Sequence, residues 1–207
     1  STPVGRIIAR TCGQYLKPAV LELGGKAPLL VLDDADLEQA AAGALFGAFA
    51  NAGQICISTE RIIVDESIAD AFIALLSRRA ATLPAGLMGP VVDMKTVTRC
   101  NELIDDALAK GARLLTGGKA DTTQMRATLL DGVTRSMRIW QEESFGPVKA
   151  IIRVHGEQEA LEALRQLSVQ RLEGTQIVLP EIGEVYELPP GAPARRGRPL
   201  DRVAGAK

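Results

Sequence analysis

The sequence has 207 residues, 46% of them hydrophobic, and its formal net charge at pH 7 is −1. This length suits one domain of ordinary size or one and a half, and the apolar content is enough for a buried core. The near-zero charge gives no electrostatic reason to expect nucleic acid or an anionic membrane as a partner. No apolar run approaches the roughly 18 residues needed to span a bilayer, and no signal peptide is visible.

The cysteines and the single histidine exclude the common metal-site patterns. The chain has an odd number of cysteines, Cys12, Cys56 and Cys100, and their spacing is not that of metal ligands. We therefore expect no metal site and a reduced, cytoplasmic setting. His155 lies beside Gly156 at a predicted strand end and has no Asp or Cys partner at a useful spacing. We interpret it as a surface residue of a turn.

Strands and helices alternate along the chain, which predicts an α/β fold with a largely parallel sheet flanked by helices. In chain order, the predicted elements are helix 4–16, strands 19–23 and 27–32, helix 37–50, strand 61–64, helices 67–81 and 95–110, strands 112–115, 127–130 and 148–154, and helix 157–167. Asp36 is the expected N-cap of helix 37–50, because its carboxylate accepts from the free N–H groups of the first turn.

The predicted helices have apolar faces at helical spacing, and we expect these faces to be buried. Their members are Ile7, Ile8, Cys12 and Leu16 in the first helix, Ala71, Phe72, Leu75 and Leu76 in helix 67–81, and Val97, Cys100, Ile104 and Leu108 in helix 95–110. Cys12 and Cys100 are therefore interpreted as core residues.

Cys56 lies in the connection between helix 37–50 and strand 61–64, within the run NAGQICISTER. Asn51 and Gly53 interrupt the helical pattern there and permit unusual backbone angles. A cysteine in such a connection is open to a cleft, where its thiolate acts as a nucleophile. The alternative is a buried free cysteine that serves as a small hydrophobic residue.

Two acidic motifs flank this cysteine in the sequence. Glu22 belongs to ELGGK, 34 residues before Cys56, and an apolar setting beside the Gly24-Gly25 turn would raise its pKa towards that of a general base. The alternative is a solvated glutamate before a turn. The second motif, EESFGPV, contains Glu143 and Phe145.

Taken together and in this order, Glu22 in ELGGK, Cys56 in NAGQIC and Glu143 with Phe145 in EESFGPV resemble the aldehyde dehydrogenase superfamily. The opening STPVG, Ser1 to Gly5, resembles a further family segment whose leading glycine is missing here. The resemblance covers residues 1–165. The run ICISTER is more similar to the bacterial enzymes that act on aromatic aldehydes such as salicylaldehyde, vanillin and benzaldehyde.

The resemblance implies NAD(P)-dependent oxidation of a small-molecule aldehyde to the carboxylic acid. Cys56 would be the nucleophile and Glu22 the general base. The residues that it places near NAD or NADP are Ser1, Gly5, Leu23, Gly24, Glu143 and Phe145. An oxyanion would be stabilised by the Cys56 N–H together with an asparagine that lies upstream of Ser1 in the family.

The resemblance also implies a domain division and a homo-oligomer. Residues 1–25 correspond to the end of the NAD(P)-binding domain, 26–165 to the catalytic domain, and 166–207 to a divergent tail. The tail is rich in Pro, Gly and Arg and is predicted to be disordered. A frameshift near Arg165 is one explanation for the change, and a basic tail that binds a partner is another.

The sequence begins inside a motif rather than at Met, so we expect a piece of a longer reading frame. Three alternatives to an active dehydrogenase therefore stay open. The first is an inactive fragment, and the second is a non-catalytic partner that pairs with a full-length subunit through an exposed sheet edge. The third is acyl transfer at Cys56 without a cofactor.

Overall fold

The computed structural model describes residues 1–84 and 88–155, together with two short strands at 186–187 and 195–196. The chain divides into two units, Ser1–Gly156 and Glu157–Lys207. In the second unit, Tyr186–Glu187 pairs antiparallel with Arg195–Arg196. The predicted helix 157–167 and the predicted disorder of the tail otherwise fall outside the described residues.

The first unit alternates helices and strands, as the sequence pattern predicts. Its helices are α1 (Thr2–Gln14), α2 (Leu37–Phe49), α3 (Glu66–Ala81) and α4 (Met94–Ala109). Its strands are β1 (Pro28–Val31), β2 (Arg61–Asp65), β3 (Arg113–Thr116), β4 (Thr128–Asp131) and β5 (Val148–Val154). Short 3-10 turns cover Ala50–Gly53 and Arg138–Trp140.

The strands form one five-stranded sheet in the order β1-β2-β5-β4-β3. All neighbours are parallel except β3, which runs antiparallel to β4. In the register, Ile62 lies opposite both Leu29 and Ile151. The central strands are nearly continuous apolar runs because both faces of a parallel sheet are covered. The predicted α/β architecture with a largely parallel sheet and flanking helices is confirmed.

Aspartate side chains fix where three of the helices begin. Asp36 accepts from the N–H groups of Glu38 and Gln39 at the start of α2, as predicted. Asp65 and Asp93 cap α3 and α4 in the same way. Because β2 runs directly into α3 and α2 leads to the Cys56 connection, these caps fix the elements on both sides of that cysteine.

The core lies between the sheet and its helices. Phe72 and Leu76 of α3 and Cys100 and Ile104 of α4 are fully buried, as predicted. Burial raises the pKa of the Cys100 thiol to about 11. Cys100 is therefore a packing residue at neutral pH.

Some predicted faces and one predicted strand are wrong. Within α1 only Gly5 is buried, and Ile7 is 60% exposed, because none of the described residues covers that apolar face. Ala71 and Leu108 are exposed, because each lies at the margin of its helix's apolar stripe. Segment 19–23 is not a strand, since no described strand lies beside it to complete a ladder.

Candidate active site

One cavity of about 560 Å³ gathers residues from five separate parts of the sequence. Its lining consists of Ser1, Glu22, Leu23, Gly24, Cys56, Val92, Thr96, Arg99, Glu143 and Phe145. Every site residue predicted from the sequence is present except Gly5. Gly5 instead lies behind the wall, where a Cβ would come within 2.8 Å of a Leu23 methyl group.

Cys56 reaches this cavity because the chain turns sharply after α2. Asn51 and Ala52 adopt left-handed backbone angles, with φ of 51° and 54°, and Gly53 follows with φ of 71°. Three successive left-handed residues are uncommon and end the helix abruptly. Cys56 is consequently exposed, in contrast to buried Cys100. The alternative of a buried, purely structural Cys56 does not fit this position.

Gln54 ties the same turn to the opposite wall of the cavity. Its Oε1 accepts from the N–H of Val92 at 2.8 Å, and its Nε2 donates to the carbonyls of Asn51 and Pro90. The side chain of Val92 lines the cavity. The glutamine of the NAGQIC motif therefore positions a wall residue as well as the cysteine loop.

The Glu22 motif and the Glu143 motif meet at Gly24 and Gly25. The N–H of Gly25 donates to Glu143 Oε1 at 3.3 Å, and a Cβ on Gly24 would lie 1.9 Å from Glu143 Oε2. Only a residue without a side chain leaves room for this carboxylate. Glu22 itself is exposed, so the apolar setting that the sequence analysis expected for it is not found.

Phe145 turns towards the cavity from a left-handed backbone position, with φ of 43°. A bulky residue rarely adopts this conformation, and it persists only where the surroundings enforce it. Here the neighbouring Ser144 and Gly146 are both buried, while Phe145 is only half-buried. Ser144 and Gly146 thus anchor the motif in the interior, and the Phe145 ring remains at the cavity wall.

Three lining residues, Val92, Thr96 and Arg99, were not predicted from the sequence. Arg99 also donates through Nε to the carbonyl of Ser144 at 3.0 Å, which links α4 to the Glu143 motif. The apolar periodicity of α4, on which the sequence-based expectation rested, marks only the face of the helix that packs in the core. Thr96 and Arg99 are three residues apart and therefore lie together on one face of the first turns of α4, next to its core face. This spacing is the feature of the sequence that could have identified them.

The cavity combines one exposed thiol, two carboxylates, one guanidinium and apolar side chains. The thiol suits attack on an electrophilic carbon, and a carboxylate suits proton transfer from water. Leu23, Val92 and Phe145 offer apolar contact for a flat ring, while Glu143 offers oxygens to hydroxyl groups. Among the described residues, no group of His, Cys, Asp or Glu is arranged to hold a metal ion.

Comparison with known proteins agrees with the resemblance stated above. A profile of the aldehyde dehydrogenase family matches residues 1–167. Vanillin dehydrogenase from Pseudomonas fluorescens is 55% identical over 175 residues, which are 81% of this chain and 36% of that protein. The chain thus spans about a third of the length of the curated relatives it matches.

Solved structures agree on the fold. Salicylaldehyde dehydrogenase from Pseudomonas putida, complexed with salicylaldehyde, has a TM-score of 0.77 and 47% identity over 80% of this chain and 36% of that chain. Betaine aldehyde dehydrogenase from Staphylococcus aureus, in complex with NAD+, has a TM-score of 0.74 and 34% identity over 79% of this chain and 35% of that chain. The family and the likeness to aromatic-aldehyde enzymes are confirmed.

Proposed function

The chain belongs to the aldehyde dehydrogenase family, and on that premise we propose that it supplies the catalytic cysteine and general base for NAD(P)-dependent oxidation of an aromatic aldehyde. The observation that carries the proposal is the cavity that joins Cys56, Glu22, Glu143 and Phe145. In this proposal residues 1–25 close a nucleotide-binding domain, and residues 26–165 form the catalytic domain.

Cys56 is the proposed nucleophile. Its thiolate Sγ bonds to the aldehyde carbon, and the carbonyl electron pair moves onto oxygen to give a tetrahedral thiohemiacetal. The N–H of Cys56 donates to that oxyanion. Bound NAD(P)+ would supply the hydride acceptor. Loss of the hydride from the carbon leaves a thioester on Sγ. Cysteine suits this role because its sulfur is a stronger nucleophile than a hydroxyl oxygen and its thioester reacts readily with water.

Glu22 is the proposed general base for the second half of the reaction. Its carboxylate removes a proton from a water molecule, which attacks the thioester carbon. The carbon–sulfur bond then breaks, releasing the carboxylic acid and regenerating the Cys56 thiolate. The exposure of Glu22 supports this role because a water molecule has access to it.

The opposite wall of the cavity suits the cofactor. Glu143 would accept hydrogen bonds from ribose hydroxyls, and Phe145 would pack against the nicotinamide ring. Gly24 offers backbone without a side chain at the same place, and Ser1 lies on the same lining. The space that a Cβ on Gly24 would fill is taken by the Glu143 carboxylate, which supports a role for both residues at one site.

The substrate class and the setting are proposed from the relatives. Vanillin and salicylaldehyde dehydrogenases both act on aromatic aldehydes, and this cavity has apolar side chains to receive a ring. Three free cysteines accord with a reducing, cytoplasmic compartment. In the part of the chain that the structure describes, no helix is long and apolar enough to cross a membrane. A homo-oligomer is the proposed assembly.

A kinetic test compares two cysteine variants. We expect Cys56→Ser to abolish aldehyde-dependent NAD(P)H formation, because a serine hydroxyl is a far weaker nucleophile without an activating base. Cys12→Ser is the matched control, since Cys12 lies outside the cavity, and it should retain wild-type rates. Vanillin, salicylaldehyde and an aliphatic aldehyde serve as substrates, with the aromatic pair preferred.

Two results would contradict the proposal. Turnover that survives Cys56→Ser would exclude Cys56 as the nucleophile. A wild-type chain that forms no NAD(P)H with any aldehyde would instead favour an inactive fragment or a non-catalytic partner subunit. Hydrolysis of an activated ester by that chain, lost in Cys56→Ser, would identify the cofactor-free alternative.

A further inference from the structure

A buried charge cluster connects the segments that line the cavity and is centred on Glu60, four residues after Cys56. Glu60 Oε2 accepts from Lys26 Nζ at 2.7 Å, and Glu60 Oε1 accepts from Lys149 Nζ at 2.9 Å. All three side chains are at most 3% exposed. None of them lines the cavity, so the proposed chemistry does not use them directly.

The Glu60 carboxylate is also the anchor of the Glu143 motif. Ser144, which lies between Glu143 and Phe145, donates to Glu60 twice. Its N–H reaches Oε2 at 2.9 Å and its Oγ reaches Oε1 at 2.7 Å. Each carboxylate oxygen therefore accepts two hydrogen bonds, which meets its full capacity.

Three cavity motifs are thereby joined at one carboxylate. Lys26 directly follows the Gly24-Gly25 turn, Glu60 follows the Cys56 loop, and Ser144 belongs to the Glu143 motif. Arg61, next to Glu60, donates to the carbonyls of Lys26 and Trp140 and adds a second link. The sequence separations are large, so no local structure could hold these segments together.

Two left-handed backbone positions, Gly53 and Phe145, adjoin the cluster. A Cβ on Gly53 would lie 2.8 Å from Lys149 Nζ and 2.4 Å from the Gly146 carbonyl oxygen, so the cysteine turn packs directly on Lys149 and on the Glu143 motif. Phe145, directly after Ser144, has the positive φ described above. A bulky residue such as Phe145 keeps this conformation only where surrounding contacts enforce it, and the Ser144–Glu60 hydrogen bonds are the adjacent contacts.

We propose that Glu60 is a positioning residue for the cofactor side of the site, because it fixes the backbone at Ser144 and so directs Glu143 and Phe145 into the cavity. This inference rests on the proposed function, in which those two residues bind NAD(P). Glu60 contacts neither substrate nor cofactor in this account. Its effect is exerted through the geometry of the Glu143 motif.

The test compares two buried carboxylates of similar chemistry in the full chain. Glu60→Gln removes the charge between Lys26 and Lys149 while nearly preserving shape. The control is Asp131→Asn, because Asp131 is completely buried and held by Arg113 and Arg153 but lies on β4, outside the cavity lining. Both variants are expected to lose stability. Glu60→Gln leaves two buried ammonium groups without their carboxylate, and Asp131→Asn removes the charge of a buried carboxylate that pairs with Arg113 and Arg153.

Three readouts separate positioning from stability. Hydrogen exchange at the Ser144 amide should accelerate at least about tenfold in Glu60→Gln and stay unchanged in Asp131→Asn. Only Glu60→Gln replaces one of the two oxygens that receive Ser144, Lys26 and Lys149 by an amide NH2 group, which cannot accept from these donors. The dissociation constant for NAD+ or NADP+ should rise at least about tenfold in Glu60→Gln alone, as expected for misplaced binding groups. Alkylation of Cys56 by iodoacetamide should change less than about twofold in both variants, because the thiol itself is untouched.

Conservative variants extend the test if Glu60→Gln does not fold. Glu60→Asp keeps the charge and should restore part of the affinity. Ser144→Ala keeps the N–H hydrogen bond but loses the Oγ hydrogen bond, and it should give an intermediate loss. Unchanged exchange of the Ser144 amide in the Glu60 variants, or equal loss of cofactor affinity in Asp131→Asn, would overturn the inference. A wild-type chain that binds neither nucleotide would overturn the proposed function, while the exchange measurement would still decide whether Glu60 holds the motif.

Discussion

At the scale of single residues, Gly24 decides how closely the Glu22 motif and the Glu143 motif approach. The Glu143 carboxylate occupies the space where a Cβ would stand and accepts from the N–H of Gly25. A cavity bounded on one side by ELGGK and on the other by EESFGPV depends on that contact. The glycine therefore matters through the absence of a side chain and not through an unusual backbone angle.

Gly24→Ala should leave the fold intact but weaken nucleotide binding, because the displaced atoms belong to the flexible end of Glu143. Gly43→Ala is the control, since nothing lies within 4 Å of its added Cβ. In the middle of α2 that change should stabilise the chain by about 0.5–1 kcal/mol. Thermal unfolding and NAD(P)+ titration of both variants check this prediction. Unaltered affinity in Gly24→Ala would show that Glu143 does not need its present position.

At the scale of elements, the turn between α2 and β2 presents the cysteine. It concentrates three left-handed residues, one of which, Gly53, packs against the Gly146 carbonyl and Lys149. The left-handed angles of Asn51 and Ala52 cost stability locally, and the hydrogen bonds of Gln54 together with the packing of the turn on the buried cluster offset that cost. The turn is thus held from both sides.

Gly53→Ala should destabilise the chain more than Gly132→Ala, although the two glycines have the same φ of 71°. The control has open space around its added Cβ, whereas at Gly53 a backbone carbonyl blocks the methyl group. The left-handed angle alone costs about 1–2 kcal/mol in either variant. Chemical unfolding of both proteins isolates the additional loss due to the clash, and equal losses would contradict the packing described here.

Elements with strong local signals were predictable, and those that depend on distant partners were not. Strands β2 and β5 are short apolar runs and were predicted almost to their ends. Segment 19–23 has strand-like composition, but pairing requires a neighbour that composition does not reveal. The Glu60 cluster was missed because charged residues are ordinarily exposed and its members are far apart in sequence. Recognition of the motifs indicated which residues meet in the cavity, not what holds them there.

At the scale of the whole molecule, the buried ion pairs of Glu60 with Lys26 and Lys149 connect strand β5 of the sheet to the segments that line the cavity. Burial by itself would raise the pKa of Glu60, but the ammonium groups of Lys26 and Lys149 outweigh it and hold that pKa at about 2. Burial also lowers the pKa of Lys26 to about 8, although Glu60 acts in the opposite direction. Glu60 and Lys26 are therefore both charged between about pH 5 and 7.

Acid should weaken the fold partly through this cluster. A carboxylate whose folded pKa is depressed contributes stability above its unfolded pKa and loses it as pH falls towards the folded value. For Glu60 that window runs from 4.5 down to about 2. Glu60→Gln should be less stable than wild type at pH 7 but lose less stability between pH 5 and 3. Denaturant unfolding at several pH values checks this, and parallel curves for the two proteins would contradict it.

The most direct test of the central claim, that Cys56 and Glu22 are nucleophile and base of one site, is mass spectrometry of Glu22→Gln after a single turnover with an aromatic aldehyde and NAD(P)+. Glu142→Gln is the control, because Glu142 pairs with Arg138 and does not line the cavity. The account predicts an acyl adduct that accumulates on Cys56 in Glu22→Gln but not in wild type or Glu142→Gln. Wild-type turnover by Glu22→Gln, or an adduct on Cys12 or Cys100, would contradict it.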